Sequence, residues 1–156
     1  MVNNIHMSTD TKMDLIHAAI AQLQRLTELF QRRRTQLAAG VGLTDHQWSV
    51  LEEISTELFM PSMFARQRES SAAAVSKTIR QLIDKELVRV SLNADDGRQR
   101  DYELSAKGRR VMARLRKSRE EAIKQIWLEL PQDRVRNFCE FTTELNEKLA
   151  LLASKS

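Results

Sequence analysis

Several things are scarce in this sequence. There is a single cysteine, Cys139, so no intrachain disulfide can form, and such usage fits a reducing compartment. Three scattered histidines (His6, His17, His46) and that one cysteine argue against a structural zinc site, and no metal is expected. Glycine occurs four times and proline twice, which disfavours a turn-rich sheet fold and favours long helices. No apolar run approaches the roughly 18 residues of a membrane span, so no membrane partner is expected. Residues 1–11 are polar, lack the apolar stretch of a signal peptide and read as a frayed tail. No Ser–His–Asp or Cys–His set and no phosphate-cradling glycine loop stand out. The expectation is a cytoplasmic protein without enzymatic activity or cofactor.

What is present is ordinary in amount and uneven in place. Hydrophobic residues make up 42% and charged residues 29% of 156 residues, enough for a disulfide-free core. The net charge is +4. Residues 1–60 carry 5 basic and 7 acidic side chains, residues 61–116 carry 13 and 7, and residues 117–156 carry 7 and 7. The middle third therefore holds the whole excess, +6, and reads as a polyanion-binding block.

Periodicity divides the chain further. Leu15, Ile16, Ala19, Ile20, Leu23, Leu26, Phe30 and Leu37 recur at steps of three and four, predicting one amphipathic helix over 12–37. Arg32, Arg33 and Arg34 fall in its last turns, where cations suit the helix dipole. Gly40 and Gly42 break the chain, and Thr44 with Gln47 reads as a capping box opening a second helix. Leu58-Phe59-Met60 suggests an edge strand. Pro61 suits the first turn of a short third helix, 62–68. Ser70 and Ser71 are caps for a fourth, 72–86, with Val75, Ile79, Leu82 and Ile83 inward.

The period then changes to two. Val88, Val90 and Leu92 share a face, as do Tyr102 and Leu104, predicting two strands joined by the polar loop 93–99. Ser105 can cap a fifth helix reaching about residue 129, and Pro131 begins a last one. In that last helix Phe138, Leu145, Leu149 and Leu152 resemble a short coiled-coil seam, and Cys139 beside Phe138 reads as a packed residue.

This order implies a mainly α fold with a small β-hairpin. It is a winged helix-turn-helix over 43–105, flanked by long helices at 12–37 and 106–153. Those end helices have apolar stripes that a homodimer would bury. Two recognition helices related by a two-fold enter successive major grooves of double-stranded DNA about 34 Å apart. On the fourth helix, Ser71, Ala72, Ala73, Ser76, Lys77 and Arg80 are the candidate reading residues, small at the start and polar after it. On the wing, Arg98 and Arg100 suit the negative minor groove, and Asp96 can orient Arg98. His17, Trp48, Phe59, Met60 and Met63 are candidates to line an effector pocket. An adaptor that uses a winged helix without DNA is the alternative, and the basic middle third argues against it.

Asp96-Gly97-Arg98-Gln99 followed by Leu104-Ser105-Ala106-Lys107-Gly108 resembles the wing signature of the MarR family. Ala74-Val75-Ser76-Lys77 and Leu82-Ile83-Asp84-Lys85-Glu86-Leu87-Val88 resemble that family's recognition helix and its exit. Gly42-Leu43-Thr44 and Gln47-Trp48 resemble its second-helix entry. The resemblance covers roughly residues 12–152. It implies a homodimeric transcription regulator, usually a repressor at a pseudo-palindromic operator and often released by a small phenolic ligand. It also implies that Arg98 is the minor-groove residue and Asp96 its partner. Family members that sense oxidation carry a cysteine in the first helix, and this chain has none there. The chain departs from the family at Phe64–Ser70, where Arg68 and Glu69 replace an expected Leu-Gly turn.

Overall fold

A computed structural model describes residues 9–56, 59–68, 70–92 and 100–154. The elements run α1 (Thr9–Ala39), α2 (Asp45–Ile54), α3 (Pro61–Gln67), α4 (Ala72–Asp84), β1 (Val88–Leu92), β2 (Arg100–Leu104), α5 (Ala106–Ile126) and α6 (Gln132–Ala153). Packing divides the chain into two compact units, residues 1–112 and 113–156. The winged helix-turn-helix lies entirely in the first.

The sequence signals act where they stand. Thr44 caps α2: its hydroxyl accepts from the Gln47 amide at 3.1 Å, and the Gln47 side chain accepts from the Thr44 amide at 3.1 Å. Pro61 occupies the first turn of α3. Ser71 caps α4 by accepting from the Ala74 amide at 3.1 Å. The missing turn glycine after α3 does not delay α4. The Ser70 amide reaches back to the Ala65 carbonyl at 2.9 Å, and Ala72 begins the helix as expected.

Two helices end in the same hydrogen-bond pattern with different residues. After α1, the Leu43 amide donates to the Ala38 carbonyl at 2.9 Å, with Gly42 at φ +75°. After α4, the Leu87 amide donates to the Leu82 carbonyl at 2.9 Å and the Glu86 amide to the Ile83 carbonyl at 2.8 Å, with Glu86 at φ +61°. This is the Schellman stop, and its left-handed position favours glycine. It shortens α4 by two residues relative to the expected 72–86.

The core of the first unit is built from Trp48, Val50, Leu51, Phe64, Val75 and Leu82, all essentially buried. Ile79 joins them, and so does Thr78, whose hydroxyl is satisfied by the Ala74 carbonyl at 3.0 Å. β1 pairs antiparallel with β2, with Val88 opposite Leu104 and Leu92 opposite Arg100. Only the base of β1 is covered: Val88 is 3% exposed, Val90 43% and Leu92 69%. The hairpin thus extends beyond the core. Phe59 and Met60 do not form the expected edge strand; Leu58 lies outside the described residues. Phe59 instead sets its ring edge-on to Tyr102 and Phe64, at 5.8 and 6.0 Å between centroids. An aromatic contact there takes the place of strand pairing.

One node joins α4, the hairpin and α5. The Ser105 amide donates to the Leu87 carbonyl at 3.0 Å. The Ser105 hydroxyl donates to the Glu86 carbonyl at 2.6 Å and accepts from the Gly108 amide at 2.9 Å, capping α5. Gly108 lies so close that a Cβ there would stand 2.2 Å from the Leu87 oxygen.

The ends of the chain pack sparsely. In α1, residues 11–33 are exposed except for half-buried Leu23, and the buried end begins near Leu37 and Ala38. Its arginines do not serve the helix dipole, because α1 continues to Ala39 and its last turn holds no cation. In α6 no described side chain is buried. Cys139 is exposed, so the expectation of a packed cysteine is not met in the single chain. Within α6, Lys148 pairs with Glu144 at 2.7 Å; this bond and its charge hold the Glu144 carboxyl below the usual range and raise Lys148. Both side chains are largely in water, so the pair does little for stability.

Two substitutions test the node. Gly108→Ala forces the Leu87 carbonyl to move and is expected to cost about 1–3 kcal/mol, the range of an overpacked site. Glu86→Gly relieves the left-handed strain and is expected to add about 1 kcal/mol. Urea unfolding reads both as opposite shifts in midpoint at constant slope.

Candidate nucleic-acid interface

The candidate reading face begins with the buried stripe of α4. With Val75, Thr78, Ile79 and Leu82 turned into the core, helical geometry sends Ala72, Ala73, Ser76, Lys77 and Arg80 outward. All five are exposed, as is Ser71 at the cap. The first turn carries only methyl groups, so another surface can approach the backbone closely there. Lys77 and Arg80 follow, one turn further along, with hydrogen-bond donors suited to phosphate oxygens and base edges. The amino end of the helix adds partial positive charge.

On the wing, Arg100 opens β2 and is exposed. Asp96 and Arg98 lie outside the described residues. The hairpin that carries them is described at its base, where Ser105 and Leu87 are tied together.

Within the basic middle third, most of the charge excess lies on α5 rather than on α4. Of the +6 between residues 61 and 116, +5 belongs to Lys107, Arg109, Arg110, Arg114 and Arg116, all exposed on α5. α4 carries only +1, from Lys77, Arg80 and Asp84. Lys107 Nζ donates to the Lys85 carbonyl at 2.9 Å, which puts the start of α5 at the carboxyl end of α4. That is about 20 Å from Ser71, at 1.5 Å per residue over a helix of this length. The basic excess therefore does not coincide with the outward face of α4, whose exposed side chains are small or polar.

The five effector-pocket candidates occupy different settings. Trp48 is 2% exposed, and the Arg34 guanidinium stacks over its ring at 4.1 Å. Phe59 belongs to the aromatic group with Phe64 and Tyr102. Met60 and Met63 are each 49% exposed, and His17 is exposed on α1. A shallow, open groove of about 540 Å³ lies between the end of α4, β1 and the start of α5, lined in part by Ile83, Val88, Arg89 and Arg110. None of the five reaches it.

Periodicity alone did not reveal the polar side chains that hold the reading helix. Arg34 reaches from α1 to α2. Its Nε donates to Asp45, and its Nη2 to Ser49 Oγ and Glu52 Oε2, both at 3.0 Å. Gln47, 6% exposed, donates through Nε2 to Gln81 Oε1 on α4 at 3.0 Å. Lys85 Nζ donates to the Gly42 carbonyl at 2.9 Å. Only the capping role of Gln47 had a local signature. Among the described residues no group of His, Cys, Asp and Glu is placed to hold a metal ion, and no helix is long and apolar enough to cross a membrane.

Comparison with known proteins agrees with this geometry. The sequence profile described as MarR family matches residues 41–99. No curated protein matches the chain. Among solved structures, a MarR family transcription regulator aligns with a TM-score of 0.85 at 14% identity, over 96% of this chain and 100% of that one. Staphylococcus aureus MarR in complex with salicylate and kanamycin aligns with a TM-score of 0.74 at 16% identity, over 87% and 93%. A Staphylococcus aureus MepR–DNA complex aligns with a TM-score of 0.65 at 15% identity, over 82% and 94%. Residues 41–99 thus match the MarR family profile, in a chain whose fold is that of solved MarR-family structures.

Proposed function

We propose that the protein is a homodimeric transcription regulator that binds a pseudo-palindromic DNA operator and represses from it. The observation that carries this reading is the outward face of α4. Methyl groups fill its first turn, followed by Ser76, Lys77 and Arg80, and all are exposed on a helix held from behind by a buried stripe. The wing supplies the second contact: Arg98 enters the minor groove, Asp96 orients it, and Arg100 supports it. The basic start of α5 contributes long-range attraction rather than base reading.

A second copy of the chain covers the end helices. Ile16, Ile20 and Phe30 of α1 are 41–55% exposed, and Ile126, Phe141 and Leu149 are 55–60% exposed. Apolar surface on that scale calls for a partner, and a two-fold dimer is the commonest solution. The same two-fold gives the operator its symmetry. The solved relative with salicylate supports a further part of the reading, that a small aromatic effector releases the DNA. His17, Trp48, Phe59, Met60 and Met63 are its proposed contacts.

Binding to a duplex selected from a random pool is expected to weaken steeply with salt, because several phosphates are neutralised. Lys77→Ala should make the slope of log affinity against log salt shallower by about one unit. Arg98→Ala should weaken binding about ten- to hundredfold, the scale of one lost arginine–base contact, while sedimentation still shows a dimer. Salt-independent binding, or a monomeric Arg98→Ala variant with normal affinity per site, would contradict the proposal.

A further inference from the structure

We infer that Gln47 and Gln81 form a positioning pair that sets the rotation of α4, and thereby the sequence selectivity of the reading face. The inference rests on the DNA-binding reading above and assigns it two residues that touch no base.

An apolar stripe holds a helix against a core without fixing its roll sharply. Val75, Ile79 and Leu82 hold α4 in this way, because dispersion and burial are non-directional. A roll of about 10° moves a side-chain tip about 6 Å from the axis by about 1 Å. Reading contacts tolerate about half that displacement. A directional bond is needed, and Gln47 provides it.

Both ends of the Gln47 amide are used. Its Oε1 accepts from the Thr44 amide at 3.1 Å, closing the cap of α2. That fixes the side chain, and its Nε2 then donates to Gln81 Oε1 at 3.0 Å. Gln47 is nearly buried while Gln81 is exposed, so the bond is shielded from water on the Gln47 side alone. Gln81 follows Arg80 directly and stands one turn beyond Lys77, so its tether bears on the same stretch of helix. At the far end, Lys85 Nζ holds the Gly42 carbonyl, which tethers the carboxyl terminus of α4 to the turn that ends α1. Gln47 fixes the roll, and Lys85 fixes the end about which α4 would pivot.

The test compares two duplexes. One is enriched from a random pool by the wild-type protein, and the other is a scrambled duplex of the same composition. The readout is the ratio of their affinities. Gln81→Met keeps the length of the side chain and removes the acceptor. It is expected to lower the ratio about tenfold, the scale of one hydrogen bond, with the scrambled affinity and salt slope near wild type. Gln81→Glu keeps an acceptor for Gln47. Its added charge weakens both duplexes alike, so the ratio stays within about twofold of wild type. Gln47→Met in the Gln81→Met background should lower the ratio no further.

A ratio unchanged in Gln81→Met overturns the inference. Equal loss in Gln81→Glu overturns it too, since the Gln81 amide would then be reading DNA itself. Full additivity of the two methionine substitutions does the same. If the wild-type protein enriches no duplex at all, the DNA-binding reading fails and this inference with it. Enrichment by wild type with an indifferent Gln81→Met removes only the positioning pair.

Discussion

The Gly108 backbone lies so close to the Leu87 carbonyl that a Cβ there would stand 2.2 Å from its oxygen, and three elements depend on that approach. The residue before Leu87 ends α4 in a left-handed conformation. Leu87 itself is 3% exposed and leads into β1. Its carbonyl takes the Ser105 amide, and Ser105 caps α5. α4, the hairpin and the start of α5 therefore leave one point at fixed angles. A side chain at residue 108 would open that point, whatever the rest of the core did.

A second joint, at the other end of the module, is electrostatic. Arg34 lies across α2 with acceptors from Asp45, Ser49 and Glu52 and with Trp48 beneath it. Charged groups that are only partly exposed and share several partners contribute more than isolated surface pairs. This clamp binds the last turns of α1 to α2, while the side chains of residues 11–33 are exposed except for half-buried Leu23. The module is thus held by a close backbone contact on one side and a charge cluster on the other, with the apolar core between them.

Much of this was legible in the sequence. Thr44 with Gln47, Pro61, Ser71 and Ser105 each marked a helix start, because caps depend on a few neighbouring residues. The change of period at Val88 marked the hairpin for the same reason. What depended on distant residues was harder to see. Phe59 looked like part of a strand because its own neighbours are apolar, but its position is set by Tyr102, some forty residues away. Glu86 gave no sign of a helix stop, since glycine usually takes that place. The net charge of a segment does not by itself pick a face: residues 61–116 are basic, and most of the excess lies on α5 rather than on α4. The outward residues of α4 were legible because a helix with a known buried stripe has only one other side.

The long exposed course of α1 also has a thermodynamic consequence. A helix that buries only its last turns gains little from tertiary packing, and most helical stability in proteins comes from that source. The order of α1 must therefore be supplied by whatever covers its face. In the proposed dimer, the covering surface is another copy of the chain, so the amount of structured protein becomes a function of its own concentration. A regulator built this way is sensitive to its own abundance before any operator or effector is involved.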